Sequence, residues 1–281
     1  MDFPRQLPHI PRRSAVHELR QDVVYAHADG VPLRYDHYRP LAVDGPAPAV
    51  VFVHGGGWMH GDPSQAAGNA LHFARQGIAT ISLSYRLAPE HRFPAPLDDV
   101  RHGLRYVRAH AAEFGIDPSR LALVGVSAGA HLAMLAHLAR DVRELAPALP
   151  ADLAAVDEGV RAVIAHYGPY DLSRRLPLPV ELDMIGALLG PRGDDSSWVR
   201  LASPLFHAAG ARAPVLLIHG TGDTLVSHRE SERMHRALQE AGRSSEILLL
   251  EGAPHAFQVE WRSAANQRAN AAMDAFLAAH L

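Results

Sequence analysis

LALVGVSAGAHLAMLAHLAR, Leu121 to Arg140, decides how the rest of this chain is read. Leu121–Val124 is a short, wholly apolar run, the pattern of a strand buried on both faces. Gly125-Val126-Ser127-Ala128-Gly129 follows, and then an Ala/Leu-rich segment with helical spacing. The reading is a strand, a very tight turn holding Ser127 at its tip, and a helix. A turn that tight strains the serine, and a side chain at 125 or 129 would collide with the neighbouring strand or helix. Ala128 is nearly as small, and its N–H stands at a helix N-terminus, where free donors and the helix dipole favour an anion. G-x-S-x-G alone also fits an ordinary strand–helix connection, so the remainder of the chain must supply a base, an acid and an oxyanion site.

Upstream, Ala49–His54 (AVVFVH) reads as a central parallel strand. It runs into His54-Gly55-Gly56-Gly57-Trp58, where three glycines let bare amides approach a ligand. With a serine turn downstream, Gly56, Gly57 and Ala128 are the expected donors to an oxyanion. Trp58 beside them either walls a substrate pocket or packs in the core.

A serine hydroxyl needs a base in reach, and the base needs an orienting partner. In open parallel sheets functional groups gather at the carboxyl ends of strands. The apolar strand Pro214–His219 runs out into Gly220-Thr221-Gly222-Asp223, and Ser245–Leu250 runs out into Glu251-Gly252-Ala253-Pro254-His255. One strand–helix–strand unit separates the two loops. The expected constellation is therefore Ser127, Asp223 and His255. Asp171, after the strand Val160–Tyr167, is the rival acid. His166 and His219 are expected too deep in the sheet to act as base, and His228 at a helix start is the remaining rival.

The other expected elements are strands at Asp22–His27 and Leu33–Tyr38 joined by an Asp29-Gly30 hairpin turn, and a strand at Ile78–Tyr85. Helices are expected from an Asp62-Pro63 start to near Gly77, from Leu97 to about Phe114, weakly at Val180–Leu189, from Arg229 to Ala241, and from Ser263 to Ala279. A short helix at Ser14–Arg20 is a further option. The Pro-rich run 85–99 reads as a rigid structural clamp, with a functional Arg86 or Glu90 as the minority reading. Strands alternating with helices predict one α/β domain over 1–281, with a mostly parallel eight-stranded sheet and helices on both faces. The arm 1–20 and the insertion 171–205 are the candidates for a small cap.

Composition narrows the function classes. The chain has 281 residues, no Cys, a formal net charge of −3 and acids mixed with bases. Disulfides, thiolate metal sites and a cysteine nucleophile are excluded, and nothing points to nucleic acid or to a membrane surface. No apolar run reaches the roughly 20 residues of a membrane helix, and the N-terminus lacks a secretory h-region. The expected location is the cytoplasm. The 19 His are scattered without metal-ligand spacing, so no metal and no other cofactor is expected. A homodimer is compatible with the sequence.

HGGGW (54–58), YRLAPEHRFPAPLDD (85–99), GVSAG (125–129), GTGDTLV (220–226) and GAPHAF (252–257) together resemble the hormone-sensitive-lipase-type esterases of the α/β-hydrolase superfamily. Within that group the chain is most similar to small bacterial esterases related to acetyl and feruloyl esterases. The resemblance implies the α/β-hydrolase fold, a Ser127–Asp223–His255 triad, Gly56, Gly57 and Ala128 as oxyanion hole, and hydrolysis of a small-molecule ester with a short acyl chain. Two positions depart from the pattern: Val126, where many relatives carry Asp, and Ala130, where they carry Gly. The second is shared with kynurenine formamidases, so an arylformamidase-type amidase is the alternative. A non-catalytic binding module, as in plant hormone receptors of this type, is disfavoured because those lack the working histidine.

Overall fold

The computed structural model describes residues 16–41, 43–174, 176 and 183–281. Eight strands form a single sheet in the order β1-β2-β4-β3-β5-β6-β7-β8. They are β1 (Val16–Ala28), β2 (Val31–Pro40), β3 (Ala47–Val53), β4 (Ala79–Leu83), β5 (Ile116–Val126), β6 (Ala162–His166), β7 (Val215–Gly220) and β8 (Ser245–Leu250). β1 and β2 pair antiparallel, as do β2 and β4, and every pairing from β4 through β8 is parallel.

Strand periodicity sorts the core into two layers. Ala49, Val51, Val53, Leu121, Leu123, Val163, Ala165, Val215 and Leu217 point to one face. There they meet α2 (Ala95–Ala109), α4 (Ala128–Leu138) and α7 (Arg229–Glu240) through Leu97, Leu104, Leu132, Leu135, Met234 and Leu238. The alternate residues Val50, Phe52, Ala122, Val124, Ala162, Ile164, Leu216 and Ile218 point to the other. They are covered by α1 (Ala67–Arg75) and α8 (Ala264–His280) through Phe73, Met273, Phe276 and Leu277. Both faces are buried, which is why the central strands read as unbroken apolar runs.

The Asp29-Gly30 turn has positive φ at both residues (48° and 78°), the tight hairpin geometry that suits twisted strands. Asp62 caps a 3-10 turn, Pro63–Ala66, that leads into α1, accepting from the Ser64 N–H at 2.8 Å. The expected helix 97–114 is two pieces, α2 and the short α3 (Ala111–Phe114), closed by Gly115 at φ 65°. In the insertion, α5 (Met184–Leu189) starts at an Asp183 cap, and α6 (Ser196–Leu201) at an Asp195 cap. Residues 180–182 of the expected helix lie outside the described residues.

One expectation is corrected. Residues 16–20 do not form a helix but extend β1, with Glu18 paired to Arg39 and Arg20 to His37 across the hairpin. Ser14 and the rest of the N-terminal arm lie outside the described residues. At a sheet edge the outer face of a strand is wet, so Glu18 and Arg20 can sit there as an ion pair at 2.7 Å. The period-2 signal is further obscured by a bulge at Asp22, whose φ is 58°.

The clamp reading of 85–99 describes what is seen. Arg86 grips Asp99 with two guanidinium nitrogens (Nε 2.8 Å, Nη2 2.8 Å) and also pairs with Asp29 of the hairpin turn. Asp99 accepts the Arg86 backbone N–H as well, at 2.7 Å. The clamp ties the loop after β4 to the start of α2 and to the β1–β2 turn.

Candidate active site

Three loops at the carboxyl ends of β5, β7 and β8 meet at one point. Ser127 sits between β5 and α4 with φ 54° and ψ −120°, a conformation that L residues adopt only where their surroundings enforce it. Two contacts show the enforcement. A Cβ on Gly125 would stand 2.3 Å from the Gly129 carbonyl oxygen, and one on Gly129 would stand 2.2 Å from the Val53 carbonyl oxygen. The elbow is thus wedged against β3, and the Ser127 N–H is tied to the His166 carbonyl at 2.9 Å.

The serine Oγ lies 3.0 Å from His255 Nε2. The other ring nitrogen of His255, Nδ1, lies 2.6 Å from Asp223 Oδ2. The Tyr167 ring meets the imidazole edge-on, with centroids 4.6 Å apart. Asp223 Oδ1 accepts the backbone N–H groups of Leu225 (2.9 Å) and Val226 (2.8 Å). Burial pushes the Asp223 carboxyl up, but hydrogen bonds from His219 and His255, the His255 charge and the Val226 N–H outweigh it and hold the group well below the usual carboxylate range. The acid is ionised and fixed in orientation before any substrate arrives.

The glycine loop lies directly against this elbow. A Cβ on Gly55 would be 3.1 Å from the Val126 carbonyl oxygen and 3.3 Å from Ser127 Cβ. Gly56 and Gly57 have φ 118° and 61°, so both depend on glycine's freedom. His54 anchors the base of the loop. Its Nδ1 donates to the Gly55 carbonyl at 2.8 Å, its ring stacks on Tyr85 (centroids 4.2 Å apart), and burial pushes it down to about 4, leaving it neutral. Ala128 opens α4, where the first N–H groups have no intrahelical acceptor. Gly55, at the root of the glycine loop, and Ala128 therefore flank the serine from two sides, with Gly56 and Gly57 next along that loop.

Trp58 does not wall a pocket. It is 1% exposed, belongs to the main core, and donates its indole N–H to His131 Nδ1 at 3.2 Å. His131 Nε2 in turn donates to the Ala202 carbonyl at 2.8 Å, and burial pushes this imidazole down to about 4. The chain Trp58–His131–Ala202 pins the glycine loop to α4 and to the far end of the insertion. Position 131 shows no such role in the sequence beyond being one of two histidines in a mostly apolar helix.

The rivals are accounted for. Asp171 pairs with Arg233 at 2.7 Å and accepts from the Ser173 hydroxyl at 2.6 Å. His166 is fully buried against Phe257, and its ring nitrogens have no partner among the described residues. His228 stands at the entry to α7. His219 is fully buried, as expected, yet it reaches Asp223. The i,i+4 spacing from His219 to Asp223 across a strand end was the available signal. Met184, the first residue of α5, is a further neighbour: its Sδ lies 2.2 Å from where a Cβ on Gly57 would stand.

Comparison with known proteins places the chain in a family. Residues 35–238 match the BD-FAE family. The chain belongs to that family of α/β-hydrolases. Among curated relatives, esterase LipC of Mycobacterium tuberculosis is 33% identical over 220 residues, 76% of this chain and 54% of its own. The chain spans about half the length of the curated relatives it matches. The apo form of Thermogutta terrifontis esterase 2 superposes with a TM-score of 0.78 at 28% identity, covering 98% of this BD-FAE chain and 97% of that one. A truncated carbohydrate esterase from gut microbiota shares the fold, with a TM-score of 0.83 at 24% identity over 95% and 98% of the two chains. Among the described residues no helix is long and apolar enough to cross a membrane, and no group of acidic and histidine side chains is arranged to hold a metal ion.

Proposed function

We propose that the protein is a serine carboxylesterase acting on esters with short acyl chains. The observation that carries the reading is the unbroken relay from Ser127 Oγ to His255 Nε2 (3.0 Å) and from His255 Nδ1 to Asp223 Oδ2 (2.6 Å). In this reading the Ser127 hydroxyl attacks the ester carbonyl and its proton passes to His255 Nε2. The negative charge that develops on the carbonyl oxygen falls to the amides of Gly56, Gly57 and Ala128. Collapse expels the alcohol, which takes the proton from the imidazolium, and leaves an acyl-serine. Water repeats the sequence and frees the acid. Asp223 holds the His255 tautomer and stabilises the imidazolium.

Short acyl chains are supported by Met184, which fills the space over Gly57, and by the solved complexes of the Thermogutta esterase with propionate and butyrate. The segment 183–198 then serves as a wall of the substrate site. It is braced on the clamp loop by the Phe93 N–H to Leu188 carbonyl bond (2.9 Å) and by Trp198 edge-on to Phe93.

The test is hydrolysis of p-nitrophenyl acetate and butyrate by the wild type and by Ser127→Ala. Turnover should vanish in the variant while circular dichroism stays unchanged. Turnover that survives removes the serine mechanism, and N-formylkynurenine cleaved faster than either ester moves the assignment to an amidase.

A further inference from the structure

The acid of the triad carries a second imidazole. His219 is the penultimate residue of β7, four residues before Asp223, and its side chain is wholly buried, as is that of Asp223. His219 Nε2 faces two oxygens at once, Asp223 Oδ2 at 3.2 Å and the Val226 carbonyl at 2.9 Å. A nitrogen between two acceptors must carry a hydrogen, so Nε2 is N–H in either protonation state of the ring. Its Nδ1 meets the Ser231 hydroxyl of α7 at 2.8 Å. The ring is therefore held at both ends, by α7 on one side and by the acid loop on the other.

Asp223 Oδ2 thus accepts from His219 and His255, while Oδ1 accepts from the Leu225 and Val226 amides. Only one of these four donors belongs to the relay. The two amides come from the same loop as the acid and move with it. His219 comes from the sheet, so it is the contact that fixes Oδ2 relative to the rigid frame. It also spans the loop, because one N–H bridges Asp223 and the Val226 carbonyl.

We infer that His219 is a positioning residue for the triad, whose Nε2–H holds Asp223 Oδ2 in line with His255 and draws off part of the carboxylate's basicity. The inference rests on the esterase reading for its kinetic consequences, though not for the ring chemistry itself. Two effects follow from removing this donor. Oδ2 loses its fixed direction, which lowers kcat with little change in KM. The full hydrogen-bonding power of the carboxylate then falls on His255, which favours the imidazolium and moves the acid limb of kcat/KM to higher pH.

The groups packed around this pair leave few other sources for such a shift. They are His166 and Tyr167 at the end of β6, Ser231 on α7 and His255 itself. Burial, with His219 nearby, pushes His166 down to about 3, and burial pushes the Tyr167 hydroxyl well up, so neither changes charge in the working range.

The experiment compares wild type, His219→Leu and His219→Gln with p-nitrophenyl acetate from pH 5 to 9. Gln places an amide N–H near the ring Nε2. The Leu variant should lose on the order of tenfold in kcat and show an acid limb raised by roughly half a unit, while Gln should restore the limb and recover most of the rate. A Leu variant with the wild-type limb and kcat overturns the inference, as does a Gln variant that behaves like Leu. Should the Leu variant fail to fold, nitrogen-15 NMR of the histidine rings in the wild-type protein decides. A ring with protonated Nε2 coupled to Asp223 is expected, and a bare Nε2 at 219 overturns it. A wild type inactive on every ester would sink the esterase reading and leave the ring result standing.

Discussion

Replacing Asp223 by Asn changes one atom, and its consequence can be worked through the hydrogen bonds. Oδ1 of the acid is committed to two backbone N–H groups, from Leu225 and Val226. The Asn carbonyl must take that position, because an amide NH2 there would face two donors. The NH2 then falls where Oδ2 was, opposite His255 Nδ1 and His219 Nε2. His219 keeps the Val226 carbonyl at 2.9 Å and so cannot turn its Nε2 into an acceptor without losing that bond. His255 has no such anchor. It switches tautomer, accepts from the Asn at Nδ1, and presents Nε2–H to a serine that needs a base. A triad with the wrong tautomer loses about 10⁴-fold in kcat, or about 5.5 kcal/mol at 1.36 kcal/mol per tenfold. The mismatch at His219 should cost about 1–3 kcal/mol of stability, toward the lower end because the Val226 carbonyl remains. The assay is kcat/KM for p-nitrophenyl acetate beside a urea unfolding curve, with Asp171→Asn as the control. An Asp223→Asn enzyme within tenfold of wild type would refute the tautomer argument. An Asp171→Asn enzyme that falls as far would return Asp171 to contention.

Three further outcomes test the surroundings of the site. Gly129→Ala drives a Cβ onto the Val53 and His54 carbonyls at 2.2 and 2.3 Å, and neither backbone oxygen can swing away. A loss of about 3 kcal/mol or more is expected, read from the denaturation midpoint; an unchanged midpoint would mean that α4 and β3 are not in such close contact. Met184→Ala should raise the kcat/KM ratio of hexanoate to acetate esters several-fold, and a constant ratio would remove this side chain from the substrate wall. Burial, with the Asp99 carboxylate next, pushes Asp98 up to about 7. Its contribution to stability is full below the unfolded value near 4 and is lost as pH rises through about 7. Asp98→Asn should therefore gain on wild type between pH 4 and pH 8, and a stability difference independent of pH would contradict the raised value.

What the sequence discloses and what it hides divide along one physical line. Close approach of backbones leaves a mark, because only glycine tolerates it. Gly125, Gly129 and the Gly55–Gly57 run are legible for that reason, and each has a named carbonyl or side chain where its Cβ would be. Burial on both faces also leaves a mark, as the apolar runs of β3, of Leu121–Val126 in β5, and of β6 and β7 up to their histidines. The hairpin's first strand is half-hidden because its outer face is wet and a bulge at Asp22 breaks its period. Hydrogen bonds between distant side chains leave no mark. His219 and His131 are two imidazoles among 19; the i,i+4 spacing to Asp223 is the one hint for His219, and nothing in the chain around His131 announces that it reaches the glycine loop. Both lie on mostly apolar, buried elements (α4 carries one further imidazole, His137), where an imidazole must find partners for its nitrogens or bear the cost of burial without them. His166 bears that cost, whereas His219 and His131 each satisfy both nitrogens. In each case one of those partners is a residue on a loop that flanks Ser127. Two polar positions inside an otherwise apolar strand and a mostly apolar helix, His219 and His131, thus tie the site's loops to the rigid sheet.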